Sequence, residues 1–184
     1  MILVIDTSSP SSSVIGTIDG DQMSESVSVG RGLDMELLRR IARTKRITKV
    51  AVATGPGSFT GLRVGVSFAL GLAKGLGVPI VPLPTLELQA ARSDEPVTAV
   101  VDAGRGRFYF LVPGGEAALG DPADIPRAYP LVGRVAPVEG LPFKPDKELR
   151  RVVEAAAKML EAAREVSYGR LEIEYMQSFS ASKK

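Results

Sequence analysis

The fold is decided by residues 50–76, which read VAVATGPGSFTGLRVGVSFALGLAKGL. Residues 50–54 are mostly apolar, as in a buried strand, and residues 60–76 have the composition of a helix. The turn between them, GPGSFTG at 55–61, is rich in glycine. This order predicts a strand, a tight turn and a helix whose first backbone N–H groups have no partner within the helix.

The glycine-rich turn matches neither of two common phosphate-binding motifs. A Walker A loop requires a lysine, and residues 55–65 contain none. A dinucleotide-binding fingerprint requires a third glycine where this chain has Thr60. Two interpretations stay open for the start of the helix. Its N–H groups bind an anion, or Ser58 or Thr60 caps them internally, and we favour the internal cap.

The helix over 60–76 carries small residues on two faces. Every fourth residue is small on one face, which holds Gly61, Gly65, Ala69 and Ala73, while Gly71 and Gly75 repeat this spacing on another. A glycine inside a helix costs about 0.5–1 kcal/mol relative to alanine, so we expect close packing to compensate. The helix is therefore predicted to lie against its own sheet on one side and against another helix or a second subunit on the other.

The elements around this unit predict an α/β fold with a mixed sheet. Strands are predicted over 2–6, 11–18, 22–29, 50–54 and 79–82, and helices over 34–44, 60–76 and 86–92. The sequence Asp-Gly-Asp at 19–21 is a strong hairpin signal. Asp34 and Thr85 are predicted caps of the first and third helices. Three successive strands followed by alternation are typical of a mixed sheet with helices on its faces.

A second block begins near residue 96 in the same way as the first. An apolar run at 97–102 ends on Asp102, just as the run at 2–6 ends on Asp6. We predict a duplicated architecture, with one lobe over 1–95 and a second, shortened lobe over 96–184. This second lobe is expected to contain a strand over 107–112, a loop-rich stretch over 113–144, a helix from Asp146 to about Val166, a last strand over 171–175 and a frayed tail over 180–184.

The composition excludes several classes of active site. The 184 residues include no histidine and no cysteine. A Ser-His-Asp triad, an HExxH zinc site and a thiol nucleophile are therefore impossible. The formal net charge of +2 demands no nucleic-acid partner. No apolar run is long enough to span a membrane and the start lacks the features of a signal peptide, so we expect a cytoplasmic protein without a membrane partner.

A basic cluster follows the first predicted helix. It contains Arg39, Arg40, Arg43, Lys45, Arg46 and Lys49. Such a cluster could steer tRNA or meet an acidic partner, but a solvated helix face is commoner. No aromatic residue is interleaved, which argues against base stacking.

Three stretches resemble the TsaB (YeaZ) family. They are ILVIDTS at 2–8, GPGSFTGLRVG at 55–65 and VDAGRGRFY at 101–109. The second is highly specific to that family. The match in spacing runs from residue 2 to about 112 and is looser beyond, where EYMQ at 174–177 is similar to the family's C-terminal segment.

The resemblance implies a fold, a role and a set of partners. The fold would be that of the actin, sugar-kinase and Hsp70 (ASKHA) superfamily, with two RNase H-like lobes, mixed sheets and a reduced second lobe. The role would be that of a non-catalytic scaffold in making N6-threonylcarbamoyladenosine at position 37 of tRNA. The chain would form a heterodimer with TsaD, which TsaE completes, and a homodimer in isolation, with tRNA contacted only indirectly.

The resemblance also implies two groups of site residues. The partner interface would use the first two helices through Leu37, Leu38, Ile41, Gly61, Arg63, Gly65, Phe68, Ala69 and Leu72. Nucleotide or phosphate would meet the strand ends at Asp6, Thr7, Gly57, Ser58 and Asp102. No catalytic residue, no metal ligand and no cofactor of the isolated chain are expected, while ATP and Mg²⁺ could bind within the complex.

Three alternatives stay open. Asp6 and Asp102 could be simple turn or cap residues. The chain could instead be an ASKHA-type phosphotransfer enzyme that uses these two carboxylates around Mg-ATP. The peptidase-like label attached to the family is the weakest alternative, because the usual nucleophile–base pairs are absent.

Overall fold

The computed structural model describes residues 1–30, 33–44, 46–136 and 138–175, without the side chains of residues 40, 42 and 44. Its first sheet has five strands in the order β3-β2-β1-β4-β5. β1 is antiparallel to β2 and parallel to β4. The strands are β1 (Ile2–Asp6), β2 (Ser12–Asp19), β3 (Gln22–Val29), β4 (Lys49–Gly55) and β5 (Ile80–Pro84).

A second, smaller sheet repeats the order of the first. Its four strands are arranged β8-β7-β6-β9, with β6 antiparallel to β7 and parallel to β9. The central strands β1 and β6 thus occupy equivalent places, each with a hairpin on one side and a parallel strand on the other. The strands are β6 (Thr98–Gly104), β7 (Arg107–Leu111), β8 (Ala118–Gly120) and β9 (Leu131–Val132). The predicted mixed α/β fold with a reduced second sheet is confirmed.

Four helices cover the two faces of the first sheet. They are α1 (Met35–Thr44), α2 (Phe59–Leu76), α3 (Thr85–Ala90) and α4 (Val152–Leu160). Side chains alternate along β1. Leu3 and Ile5 pack on the α1–α2 side, whereas Val4 packs on the side of α3 and α4. α4 follows the second sheet in sequence but buries Val152 and Val153 against the first, so the division at residues 95 and 96 stays a prediction.

Two predicted caps have different outcomes. The backbone N–H of Leu37 donates to Asp34 Oδ1 at 2.9 Å, which confirms the cap of α1. The Thr85 cap is wrong, because Pro84 occupies the N-cap position of α3. The Thr85 hydroxyl instead accepts the N–H of Gly55 at 3.0 Å, where it ties the end of β4 to the start of α3.

Two C-terminal elements differ from their predictions. Asp146 begins a three-residue 3-10 turn and pairs with Arg92 at 3.1 Å, and the helix runs only from Val152 to Leu160. Residues 171–175 form no strand, although Leu171 and Ile173 pack on the core beside α1 and α2. The predicted tail at 180–184 and residues 176 and 177 lie outside the described residues.

Among the described residues, no helix is both long and apolar enough to cross a membrane.

Candidate functional site

The loops at the ends of the central strands enclose a cavity of about 250 Å³ between the two sheets, which we call the interlobe cleft. Three predicted site residues, Gly57, Ser58 and Asp102, line it together. The other walls come from the loop after β1, the first residue of α2, the end of β6, β7 and residues 171–175, which we call the C-terminal segment. They are Pro10, Phe59, Ala103, Gly104, Tyr109, Glu174 and Tyr175.

The turn before α2 caps itself, as the favoured interpretation predicted. Ser58 Oγ accepts the N–H of Gly61 at 3.2 Å. The Ser58 N–H in turn donates to the carbonyl of Ser8 at 2.8 Å, which holds the turn against the loop after β1. Gly57 is needed at this contact, because a Cβ there would lie 2.7 Å from the Ser8 carbonyl oxygen.

Asp6 and Thr7 lie outside the interlobe cleft. The fully buried Asp6 carboxylate accepts the N–H of Ser8 at 2.9 Å and pairs with Arg134 Nη1 at 3.1 Å. Arg134 Nη2 also donates to Ser12 Oγ at 2.5 Å. Thr7 Oγ1 donates to the Gly61 carbonyl at 2.7 Å. This geometry fits the alternative in which Asp6 is a turn residue, and it adds a charge pair that sequence analysis missed.

Asp102 repeats the turn of Asp6 at the end of the other central strand. Its Oδ1 accepts the N–H of Gly104 at 2.6 Å, two residues ahead. Unlike Asp6, this side chain lines the interlobe cleft. Asp102 can therefore contact a ligand in the cleft while it closes its turn.

Glu174 and Tyr109 add two groups with shifted pKa values to the cleft. Burial raises the pKa of Glu174, and the nearby negative charge of Glu87 raises it further. Burial also raises the pKa of Tyr109, and the charge of Arg107 partly offsets that shift. Neither residue was predicted for the site. The only sequence signal for Glu174 was the similarity of its segment to the family's C-terminal stretch.

The C-terminal segment forms one wall of the cleft by packing on β4 and α2. The Glu174 N–H donates to the Thr54 carbonyl at 2.8 Å. The rings of Tyr175 and Phe59 lie 5.6 Å apart. The guanidinium of Arg63 lies 3.7 Å from the Phe59 ring centroid, and its Nε donates to the Tyr175 hydroxyl at 3.1 Å. This cation–π contact occupies Arg63, which was predicted for the partner interface.

The face of α2 with small residues every four positions packs on the chain's own sheet. A Cβ on Gly61 would lie 2.1 Å from the Thr7 carbonyl oxygen, and one on Gly65 would lie 2.1 Å from Thr7 Oγ1. Ala69 and Ala73 are fully buried. The assignment of Gly61, Gly65 and Ala69 to a partner surface is therefore corrected, because this face of α2 packs against Thr7 and the chain's own sheet. The same holds for Leu38 of α1, which is buried in this core.

The other small face of α2 is open. A Cβ on Gly71 or Gly75 would have no described atom within 4 Å outside its own helix turn. The predicted interface residues that remain are half-buried apolar side chains at the outer edge of the same core: Leu37, Ile41, Phe68 and Leu72. We call these four residues, with Gly71 and Gly75, the α1–α2 surface.

The basic cluster is partly neutralised within the chain. Lys49 Nζ lies 2.7 Å from Glu165 Oε1, and Arg39 Nη1 lies 3.8 Å from Glu36 Oε2. Arg43 and Arg46 are exposed. Lys45 and the side chain of Arg40 lie outside the described residues.

A sequence model of the family described as "TsaD: tRNA N6-adenosine threonylcarbamoyltransferase" matches residues 36–183. The chain belongs to the family of this model, and it is similar to TsaB (YeaZ) proteins. The TsaB protein of Bacillus subtilis is 42% identical over 66 residues, which cover 34% of this chain and 29% of that protein. The TsaB protein of Escherichia coli is 38% identical over 69 residues, 35% of this chain and 30% of that protein. The matched region thus spans less than a third of either relative.

Solved structures from Pseudomonas aeruginosa share the fold over nearly the whole chain. One, described as similar to peptidase YeaZ, has a TM-score of 0.70 at 20% identity and covers 96% of this chain and 99% of that structure. YeaZ itself gives 0.68 at 18% identity and covers 95% of this chain and 99% of that structure. The predicted resemblance to TsaB (YeaZ) proteins is confirmed.

Two carboxylates, those of Asp102 and Glu174, line the cleft. Within the described ranges, no group of three or more acidic residues is arranged to hold a metal ion, and the sequence has no histidine or cysteine. The two carboxylates that line the cleft, Asp102 and Glu174, therefore have no imidazole or thiol to form a nucleophile–base pair.

Proposed function

We propose that this chain is a non-catalytic partner of TsaD in the biosynthesis of N6-threonylcarbamoyladenosine at position 37 of tRNA. In this proposal the α1–α2 surface binds TsaD to form a heterodimer, and TsaE joins the pair. A second copy of the chain occupies the same surface when TsaD is absent. tRNA is contacted only indirectly, and the chain brings no cofactor of its own.

The observation that carries the docking role is the open outer face of α2. Gly71 and Gly75 leave the helix backbone bare, and Phe68 and Leu72 lie half-buried beside them. Close packing on the sheet already accounts for the small residues on the inner face of α2. On the outer face, no such packing within the described part of the chain offsets the low helix propensity of Gly71 and Gly75. A partner helix packed on this face would supply it, and contiguous exposed apolar area favours association.

The proposed lack of catalysis has support from a buried ion pair and from the composition. Among the described residues, Asp6 has the one fully buried carboxylate, and it is engaged by Arg134 and by a backbone N–H. The sequence has no histidine and no cysteine. The proposed reaction is that of the relatives, which are named tRNA threonylcarbamoyladenosine biosynthesis proteins.

The docking proposal is tested by a charged residue on the open face. In Gly71→Arg the new side chain has free space in the monomer but stands in the proposed interface. Light scattering after size exclusion should show a wild-type homodimer that becomes a heterodimer on mixing with TsaD. Gly71→Arg should weaken both associations at least tenfold. Ala162→Arg, an exposed position just after α4 on the other face of the sheet, is the matched control and should leave both intact. Wild-type association by Gly71→Arg would overturn the proposal.

A second candidate function is nucleotide binding in the interlobe cleft. The observation that favours it is the convergence of Gly57, Ser58 and Asp102 on one cavity. Titration calorimetry with Mg-ATP, on the isolated chain and on its mixture with TsaD, distinguishes the outcomes. Binding only in the mixture, weakened by Asp102→Asn, supports a shared site. Turnover by the isolated chain that Asp102→Asn abolishes would support the phosphotransfer alternative instead.

A further inference from the structure

A second cavity, of about 160 Å³, lies beside the first turn of α2. It shares only Pro10 and Ser58 with the interlobe cleft. Six of its described lining residues carry hydroxyl groups, and none of those described carries a charge, so we call it the hydroxyl cavity. The hydroxyl residues are Thr7, Ser9, Ser12, Ser13, Ser58 and Thr60.

Four of these hydroxyls have partners inside the protein. Thr7 donates to the Gly61 carbonyl, and Ser58 accepts the Gly61 N–H. Ser9 Oγ lies 3.2 Å from Ser11 Oγ, and Ser12 Oγ accepts from Arg134. These bonds fix the walls of the cavity through residues that belong to α2 and to the loop between β1 and β2.

Ser13 is the exception. Its side chain is 2% exposed, and within the described residues its Oγ has no hydrogen-bond partner. Alternate residues of a strand face the same side, so Ser13 points to the same side of β2 as Ile15, which packs in the core beneath α2. A buried hydroxyl without a partner costs about 1–3 kcal/mol, and such groups in folded proteins call for an explanation. A ligand in the hydroxyl cavity supplies one.

The electrostatics of the cavity select the charge of that ligand. α2 is 18 residues long, and its N-terminal turn contributes Ser58, Thr60 and Gly61 to the wall. A helix N-terminus carries a partial positive charge of about half an elementary charge. Among the described residues, no carboxylate lines the cavity to oppose it. A cavity of about 150 Å³ can hold a benzene-sized molecule, so the volume admits a small oxyanion.

We propose that the hydroxyl cavity binds a tetrahedral oxyanion, either inorganic phosphate or the phosphoryl group of a larger ligand, and that Ser13 Oγ donates a hydrogen bond to it. The site is separate from the interlobe cleft and does not depend on the docking of TsaD. It also gives the glycine-rich turn before α2 two roles, since Ser58 caps the helix internally while the outer side of the first turn faces the cavity.

The test measures inorganic phosphate binding to the isolated chain by titration calorimetry. Wild-type protein should bind one phosphate per chain, with saturation in the millimolar range. Ser13→Ala should weaken the affinity by about tenfold or more, because a hydrogen bond to a charged group contributes about 1.5–3 kcal/mol. Thr98→Val is the matched control. Thr98 Oγ1 is the other buried hydroxyl without a partner in the described part of the chain, and it lies in β6, away from the cavity. It should leave phosphate affinity unchanged.

Further variants locate the site and identify the source of the phosphoryl group. Thr60→Ala, at the exposed rim, should also weaken phosphate binding, whereas Asp102→Asn in the interlobe cleft should not. A nucleoside monophosphate that binds more tightly than phosphate, with the same loss in Ser13→Ala, would identify a larger ligand. The proposal is overturned if the wild type shows no saturable binding up to tens of millimolar phosphate, if Ser13→Ala binds like the wild type, or if Asp102→Asn alone abolishes binding. None of these outcomes bears on association with TsaD.

Discussion

Gly65→Ala should destabilise the protein although alanine is the better helix former. A Cβ at this position would lie 2.1 Å from Thr7 Oγ1 and 3.3 Å from Thr7 Cβ. Thr7 cannot simply rotate away without giving up the 2.7 Å hydrogen bond from its hydroxyl to the Gly61 carbonyl. The added methyl group therefore forces α2 away from the end of β1 or breaks that bond.

The magnitude follows from three opposing contributions. Overpacking of a tight contact costs about 1–3 kcal/mol, and the lost hydrogen bond costs about 1 kcal/mol. The higher helix propensity of alanine returns about 0.5–1 kcal/mol. We expect a net loss of about 1–3 kcal/mol in the free energy of unfolding. Gly71→Ala lies in the same helix but meets no atom within 4 Å, so it should gain about 0.5–1 kcal/mol.

The assay is urea unfolding followed by circular dichroism. All variants are compared at one protein concentration, because self-association adds to apparent stability. The two substitutions should shift the midpoint in opposite directions with unchanged slopes. If both raised the midpoint, the close approach of α2 to Thr7 would be refuted, and with it the assignment of this face to the chain's own sheet.

Three further predictions concern Arg134, Glu174 and Tyr175. Arg134→Leu should cost about 3–5 kcal/mol in urea unfolding, because it leaves the fully buried Asp6 carboxylate without its cation, and a loss below 1 kcal/mol would show that the pair is unimportant. The raised pKa of Glu174 means that its ionisation opposes folding, so Glu174→Gln should stabilise the protein near neutral pH. This stabilisation should shrink as the pH falls toward 4.5, the ordinary pKa of a glutamate side chain, because the wild-type carboxyl then becomes protonated in the folded chain. A stabilisation that grows at low pH would contradict the burial of this group. Tyr175→Ala removes a ring contact and the hydrogen bond from Arg63, so the C-terminal segment should be cut faster by a protease, at a rate that Tyr129→Ala, an exposed tyrosine elsewhere, leaves unchanged.

Elements with local signals were predictable from the sequence. The hairpin of β2 and β3 follows from the Asp-Gly turn between two strand-like runs, and its observed bounds agree closely. The strand–turn–helix from β4 to α2 and the cap by Asp34 likewise depend on residues close in sequence. The topological repeat was visible only as two apolar runs that end on aspartate, and the matching sheet orders confirm it.

Elements shaped by distant contacts were not predictable. Residues 146–151 have a helical pattern. However, the Arg92 side chain binds the Asp146 carboxylate, and the Arg92 backbone carbonyl accepts the Arg150 N–H at 2.8 Å. These two contacts hold the stretch out of the helix. After α4, Val166 pairs with Ile80 of β5, and the chain cannot continue as a helix. Thr85 was misassigned because its partner, Gly55, lies 30 residues away.

The residues of the candidate site also include some that the sequence could predict and some that it could not. Gly57, Ser58 and Asp102 were named because the resemblance implies phosphate-binding groups at strand ends, and the turns after β4 and β6 do meet at the cleft. Periodicity alone could not decide which small face of α2 was internal, since Gly61 and Gly71 both repeat at four-residue spacing. Glu174 and Tyr175 reach the cleft through a non-regular segment that has no periodic signal.

The bond between Arg134 and the loop after β1 has a mechanical consequence. Proteins that close two domains around a ligand need a hinge that lets the domains move apart. Here the guanidinium of Arg134, which follows β9 in the smaller sheet, binds the buried Asp6 carboxylate and the Ser12 hydroxyl of the larger sheet. A motion that moved the two sheets apart would break these bonds. It would leave the buried Asp6 carboxylate without its cation, which is strongly unfavourable. The Arg134 contacts therefore oppose a separation of the two sheets.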